Sequence, residues 1–179
     1  MSKEQMVVVT TKEELVNIIK NSRVGTSLNH LDVSGITDMS YLFFNIPFSG
    51  NISEWDVSNV SNMSHMFDEC DFNRDISSWD VSGVTNMDGM FDNSCFTGDI
   101  SLWDVSAVQS MYGMFYCSKF NGDISSWDVS SVVDMGYMFN GSEFSRDISK
   151  WDVMAVRDMD EMFGNMHDPN IPIWFKQPS

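Results

Sequence analysis

Aspartate residues recur at one position every 24 residues and are the chain's first candidates for chemistry. Each follows a large apolar residue and precedes a valine, as in Trp79-Asp80-Val81. Because successive side chains of a strand point to opposite faces, inward-facing apolar neighbours place these carboxylates outward. Such a row could bind basic side chains or cations. The row comprises Asp32, Asp56, Asp80, Asp104, Asp128 and Asp152.

Three interpretations of this aspartate row remain open. The carboxylates could accept hydrogen bonds from backbone N–H groups or from hydroxyls such as that of Ser58. They could form a stripe that binds Lys or Arg of a partner. They could bridge calcium, although calcium prefers six to eight oxygens and no D-x-D-x-D-G loop occurs. A second acidic column begins each unit: Asn51, Asp75, Asp99, Asp123 and Asp147.

The position just before each aspartate's apolar neighbour varies, which is where partner specificity would reside. It is occupied in turn by His30, Glu54, Ser78, Leu102, Ser126 and Lys150. The candidate partner-binding set is therefore the six aspartates together with Glu54, Leu102 and Lys150. A weaker candidate lies on the other side of the units, where Tyr112, Tyr116 and Tyr137 cluster and tyrosine is typical of interfaces.

Nothing in the sequence indicates catalysis. The histidines His30, His65 and His167 share no metal-ligand spacing, and His65 is expected to be simply exposed. Neither a phosphate-binding glycine loop nor a nucleophile elbow occurs. We therefore predict a protein that is not an enzyme, with no metal ligands and no cofactor, calcium being the one ion considered. The three cysteines are predicted to be packing residues without disulfides.

The elements that must position the aspartates are repeats of 24 residues. Tryptophan, methionine and phenylalanine keep the same interval, as in Trp55 and Trp79, Met63 and Met87, and Phe67 and Phe91. An unbroken period over several units predicts a coiling chain in which each turn stacks on the last. The methionines are predicted to fill the core between aromatic rings.

Two elements are predicted within each unit. Trp55 and Val57 alternate with polar Glu54, Asp56 and Ser58 and predict a short strand. A helix of one to two turns is predicted to start at each methionine such as Met63, because helical spacing follows an N-cap residue type. The N-cap candidates are Asp38, Asn62, Asn86, Ser110, Asp134 and Asp158.

The ends of the chain are predicted to be caps of a single domain. Residues 1–27 would hold a strand at Val7–Val9 and a helix that starts with a Thr11/Glu14 capping box and runs to Asn21. Residues 28–163 would form the repeats. Residues 164–179 would form a C-terminal cap in which a half-repeat from His167 to Phe175 covers the last unit.

Composition limits the partners. The 179 residues carry 26 acidic and 10 basic side chains, a net charge of -16, which disfavours nucleic acid and anionic membranes and favours basic partners. No stretch has the length of a membrane span. The N-terminus has no secretion signal, so the chain as given is expected in the cytoplasm, as a monomer.

The motif Asp-Ile-Ser-x-Trp-Asp-Val-Ser-x-Val-x-x-Met-x-x-Met-Phe, as in residues 75–91 and 123–139, resembles the BspA-like leucine-rich repeats of bacterial surface proteins. The resemblance runs from about Leu31 to Phe163. It implies an α/β, leucine-rich-repeat-like solenoid of six 24-residue coils, with a short parallel sheet on one face and short helices on the other. It also implies a secreted or surface-attached protein that binds other proteins, and it supplies no catalytic residues.

These observations predict a non-catalytic, adhesin-type module that binds a protein partner through the outward sheet face. Two alternatives remain. An acidic protein of this kind could mimic nucleic acid and inhibit a DNA-binding protein, although carboxylates about 4.8 Å apart match one phosphate strand poorly. It could also be a structural module stabilised by calcium.

Overall fold

The computed structural model describes residues 6–166 and 171–175, and its first elements lie at the N-terminus. Strand β1 (Val7–Val8) pairs in parallel with strand β2 (Leu31–Asp32), and helix α1 (Lys12–Asn21) lies between them in the sequence. The predicted N-terminal strand and helix are therefore confirmed. No helix of the described residues is both long and apolar enough to cross a bilayer.

Helix α1 begins as the capping motif predicts. The Thr11 side chain accepts a hydrogen bond from the Glu14 N–H over 3.2 Å, which satisfies one of the open donors of the first turn. The Glu14 carboxylate reaches back to the N–H of Thr10 over 3.1 Å, one residue before the predicted position. Leu15 and Ile19 are buried in the hydrophobic core.

Successive 24-residue repeats are joined through their backbones. Isolated parallel bridges connect equivalent residues from Asp38↔Asn62 to Asp134↔Asp158. The same ladder continues along each repeat: the N–H groups of Met63, His65 and Phe67 donate to carbonyls of the next repeat over 2.7–2.9 Å. The chain is thus a repeat fold with few helices and one two-stranded parallel sheet in the described part.

The predicted helices at the methionines are wrong. In the described residues the only helix is α1, and each methionine segment is a run of tight turns. His65 has a positive φ of 54°, as does every residue in the same slot of the other repeats, and a right-handed helix excludes that conformation. The predicted N-cap side chains do accept N–H bonds, as Asn62 does from Ser64 over 3.0 Å, but they open a turn.

The predicted sheet along the tryptophan segments is also wrong. Within the described residues, only the first unit has a strand there, Leu31–Asp32. In the next unit the Trp55 N–H donates to Ile52 and the Val60 N–H donates to Val57. Because local turns use these groups, they cannot join a ladder, and inter-repeat pairing occurs instead at residues such as Asn62.

The core consists of columns that run through the repeats, as predicted. Phe91 stacks on Phe67 and on Phe115 with ring centroids 5.7 Å apart in both pairs. The first methionine of each unit from Met39 to Met135 is fully buried, which confirms that these methionines are core residues. Each tryptophan from Trp55 to Trp151 also donates its indole N–H to a carbonyl of the preceding repeat.

At the C-terminal end, aromatic residues cover the last repeat. Phe175 packs edge-on against Phe163 at 4.9 Å, and the Trp174 indole donates to the Ile148 carbonyl over 3.3 Å. This agrees with the predicted role of Trp174 and Phe175. The part of the predicted half-repeat at residues 167–170 lies outside the described residues.

Candidate functional site

Each carboxylate of the aspartate row is held by the residue two positions later. The Ser82 N–H and hydroxyl both donate to Oδ1 of Asp80, over 3.1 Å and 2.6 Å. Asp32, Asp56 and Asp104 have the same pair of bonds, and Asp128 and Asp152 accept the N–H bond. The structure therefore contains the hydrogen bonds to backbone N–H groups and serine hydroxyls that the first interpretation of the row expects.

These bonds leave the carboxylates available to a partner. Asp32 is half-buried and the other five aspartates of the row are exposed. The serine hydroxyl, and then the serine amide, lower the pKa of Asp80 and Asp104 below the ordinary range, because both stabilise the charged form. Asp80 and Asp104 are thus negatively charged and locally ordered at neutral pH.

The variable column beside the row is mostly exposed. Leu102 is 88% exposed, and Glu54 and Lys150 are exposed as well. The structure places these residues on turns and not on the sheet face that was predicted to carry them. Their use in binding stays a prediction, as does that of the aspartates.

The tyrosine cluster borders a cavity of about 240 Å³ on the methionine side of the repeats. The Tyr137 ring lies 5.6 Å from that of Tyr112 and 6.4 Å from that of Tyr116. His65 and Asp92 also line the cavity, as do Gly89 and Gly113. These glycines stand where neighbouring repeats carry His65 and Tyr137, so missing side chains leave the space open.

Beside this cavity a histidine and two aspartates come together. His65 Nδ1 lies 2.9 Å from Oδ2 of Asp68, and potential ligand atoms of His65, Asp68 and Asp92 all lie within 4.8 Å of one another. Burial raises the pKa of the Asp92 carboxyl to about 6, assisted by the negative charge of Asp68. Burial raises the pKa of Asp68 too, against the opposing effect of His65.

The repeat character agrees with a comparison against known families. The family described as "Mycoplasma protein of unknown function, DUF285" matches residues 13–117 and residues 92–176. The chain belongs to this family. No curated protein and no solved structure matches the chain.

Sequence reasoning missed the histidine–aspartate cluster of this DUF285 chain. It treated His65 as exposed and named no metal ligands, whereas the structure half-buries the His65 side chain against Asp68. Two intervals carried the signal: Asp68 follows His65 by three residues, and Asp92 follows Asp68 by one repeat of 24. Because stacking brings equivalent residues of adjacent repeats close together, the interval of 24 could have indicated the contact.

Proposed function

We propose that this chain is a non-catalytic protein-binding repeat module whose aspartate row is the recognition surface. The observation that carries the proposal is that the carboxylates are both ordered and exposed: Asp80 accepts two bonds at Oδ1 and remains accessible. Ordering by the chain's own serines lowers the entropy lost when a partner's side chains bind.

We further infer that the repeats form a leucine-rich-repeat-like solenoid of six coils, of the BspA-like type. Parallel bridges that connect equivalent residues through the array support it. Because each coil of such an array contributes one residue to every column, a partner lying along the row meets one carboxylate and one variable side chain per coil. The molecule would act as an adhesin-type interaction module.

The partner is proposed to be a basic protein with a small apolar contact. The chain's net charge of -16 favours association with positive surfaces. Leu102 lies almost fully exposed next to the row, and an isolated apolar residue among charges can serve as an anchor for a partner's apolar group. Lys150 would set the orientation at one end.

The experiment compares crosslinked capture by the tagged wild-type chain with capture by a charge-neutral variant, in the native cell. The variant carries Asp80→Asn, Asp104→Asn and Asp128→Asn. The matched control carries Asp75→Asn, Asp99→Asn and Asp123→Asn, which remove the same charge from the neighbouring acidic column. We expect the first variant alone to lose a specific protein partner.

Two outcomes would contradict the proposal. Equal loss in both variants would mean that overall charge, and not this row, attracts the partner. Displacement of the partner by duplex DNA would support the alternative of a nucleic-acid mimic, whose binding should weaken steeply with salt.

A further inference from the structure

Three side chains that can ligate a metal meet at the junction of the second and third repeats, apart from the aspartate row. They are His65, Asp68 and Asp92, and their potential ligand atoms all lie within 4.8 Å of one another. We propose that this cluster is a binding site for a divalent transition-metal ion of the Zn²⁺ class. The site is independent of the partner-binding surface.

In the part of the chain that the structure describes, this is the one such cluster, which distinguishes it from the acidic surface in general. Asp68 and Asp92 occupy the same slot of adjacent repeats, and stacking of the repeats brings them together. The other repeats place residues of a different chemistry in that slot: Phe44, Tyr116, Asn140 and Gly164. The position three residues earlier in each repeat is a histidine only in the repeat that contains Asp68, where it is His65.

The His65 ring is held in place from both sides. It stacks on Tyr41 at 4.7 Å with an interplanar angle of 11°. On the other side lies Gly89, where an added Cβ would stand 2.5 Å from His65 Nδ1. The glycine therefore provides the room that the imidazole needs. With its proton on Nε2, the ring presents the Nδ1 lone pair to a metal beside the carboxylates.

The charges of the cluster favour a cation. Asp68 is 7% exposed and Asp92 is half-buried, so two carboxylates of like charge share a partly desolvated place. Among the described residues, the one ion pair of a Lys or Arg joins Lys12 to Asp38, so neither carboxylate of the cluster is paired with a Lys or Arg there. A divalent ion would neutralise both carboxylates at once, because buried charges are stable only when they are paired or coordinate a metal.

The donor set selects the class of metal. An imidazole nitrogen with two carboxylates suits zinc and its first-row neighbours, whereas calcium prefers an all-oxygen shell. His65 Nδ1 and Asp68 Oδ2 are 2.9 Å apart, a hydrogen-bond distance, so an ion would take the place of the proton between them and bond to both atoms at about 2.0–2.2 Å. The cavity of about 240 Å³ lined by His65 and Asp92 provides space for water at the remaining positions.

The test is a calorimetric titration of the full chain with Zn²⁺ after treatment with a chelator. We expect one strong site per chain, and affinity at least tenfold lower in His65→Ala and in Asp92→Asn. His30→Ala and Asp160→Asn are the matched controls, since they remove a histidine and an exposed acid elsewhere, and their affinity should equal that of the wild type. Circular dichroism checks that each variant folds.

A second measurement tests the site without substitution of its ligands. Co²⁺ bound to the wild-type chain should shift the ring signals of one histidine in proton NMR spectra. The same shifted signals should appear in His30→Ala, because the histidine that binds the ion is not His30. Unchanged Zn²⁺ affinity in both ligand variants would overturn the proposal. So would Ca²⁺ binding as tight as Zn²⁺ binding, or a Co²⁺ complex without a shifted histidine.

Discussion

The indole N–H of Trp103 donates to the carbonyl of Ile76 in the preceding repeat over 3.2 Å, inside the core. The same bond joins Trp79 to Ile52 and Trp127 to Ile100. A leucine in this slot would fill space but has no donor. The tryptophans of the repeat therefore combine packing with a second hydrogen bond to a carbonyl that also accepts a backbone N–H, as that of Ile76 does from Trp79.

Replacement of Trp103 by Phe tests that role. Phe retains an aromatic ring but removes one of the two donors to the Ile76 carbonyl, which keeps its bond from the Trp79 N–H at 3.2 Å. Loss of one such hydrogen bond costs about 0.5–1.5 kcal/mol in addition to any cavity. We expect the free energy of unfolding in urea to fall by at least that amount. The control is Leu102→Ala at the adjacent exposed position, which should change stability by less than about 0.5 kcal/mol. Equal stability of the Trp103→Phe variant and the control would contradict the role.

A second prediction separates charge from hydrogen bonding in the aspartate row. Asn at position 80 keeps the Oδ1 acceptor for Ser82, whereas Ala removes it. We therefore expect Asp80→Asn, Asp104→Asn and Asp128→Asn together to lower Tm only slightly, because the bonds remain and lose only the part of their strength that the charge contributes. The corresponding alanine variant should melt several degrees lower by calorimetry. If the asparagine variant melts as low as the alanine variant, charge and not the hydrogen bond stabilises the turn.

The same turns predict loss of stability in acid. Hydrogen bonds from Ser82 and Ser106 lower the folded pKa of Asp80 and Asp104. Their stabilisation is therefore complete above the unfolded pKa of about 3.9 and is lost as pH falls from there through the lower folded pKa. The unfolding free energy measured from pH 5 to pH 2 should decline in this window. Ser82→Ala with Ser106→Ala should make that decline shallower, and an unchanged slope would contradict the assignment.

Asp92 predicts the opposite dependence near neutral pH. Its folded pKa of about 6 exceeds the unfolded value of about 3.9, so the folded state binds more protons between these values. Stability in the presence of a chelator should therefore fall as pH rises from about 4 to 6. Asp92→Asn removes the titration, and we expect it to melt at a higher temperature than the wild type at pH 7. A lower Tm for this variant would show that the ionised carboxylate is stabilising.

The period and the core columns could be predicted from sequence, and the local backbone could not. Because large apolar side chains are usually buried, the sequence alone predicts Phe91 and Met87 to be core residues, and both are buried. By contrast, Met63, Met66 and Phe67 have the spacing of a helix face and yet none of them lies in a helix. Hydrophobic spacing reports which residues face the core; it does not report whether an N–H bonds within its own segment or to the next repeat, as that of Met63 does.

The two candidate sites were predictable to different degrees, because sequence spacing shows which residues repeat but not which of them meet. The aspartate row is periodic, so its position could be read directly from the sequence. The His65 cluster depends on a contact between adjacent repeats and on a departure from the repeat at Gly89. Only the register of stacking, which the backbone ladder sets, brings Asp92 to His65.

The positive-φ slot that replaces the predicted helices gives the last prediction. Gly113 has a φ of 58°, and an added Cβ would find its nearest neighbour, the Cβ of Tyr116, at 3.8 Å. Gly113→Ala therefore meets no clash, and its cost is the backbone strain of about 1–2 kcal/mol for a left-handed alanine. Gly113→Asn should cost less, because asparagine tolerates this conformation.

The matched control for that substitution is Gly35→Ala. Gly35 is outside the positive-φ set, and a Cβ there would meet nothing within 4 Å. Alanine at this position should leave stability unchanged or raise it by up to about 1 kcal/mol, since it restricts the unfolded chain. Urea unfolding of the three variants measures the difference. A Gly113→Ala variant as stable as Gly35→Ala would mean that the methionine segment can relax toward helix, and that the turn ladder is not what joins the repeats.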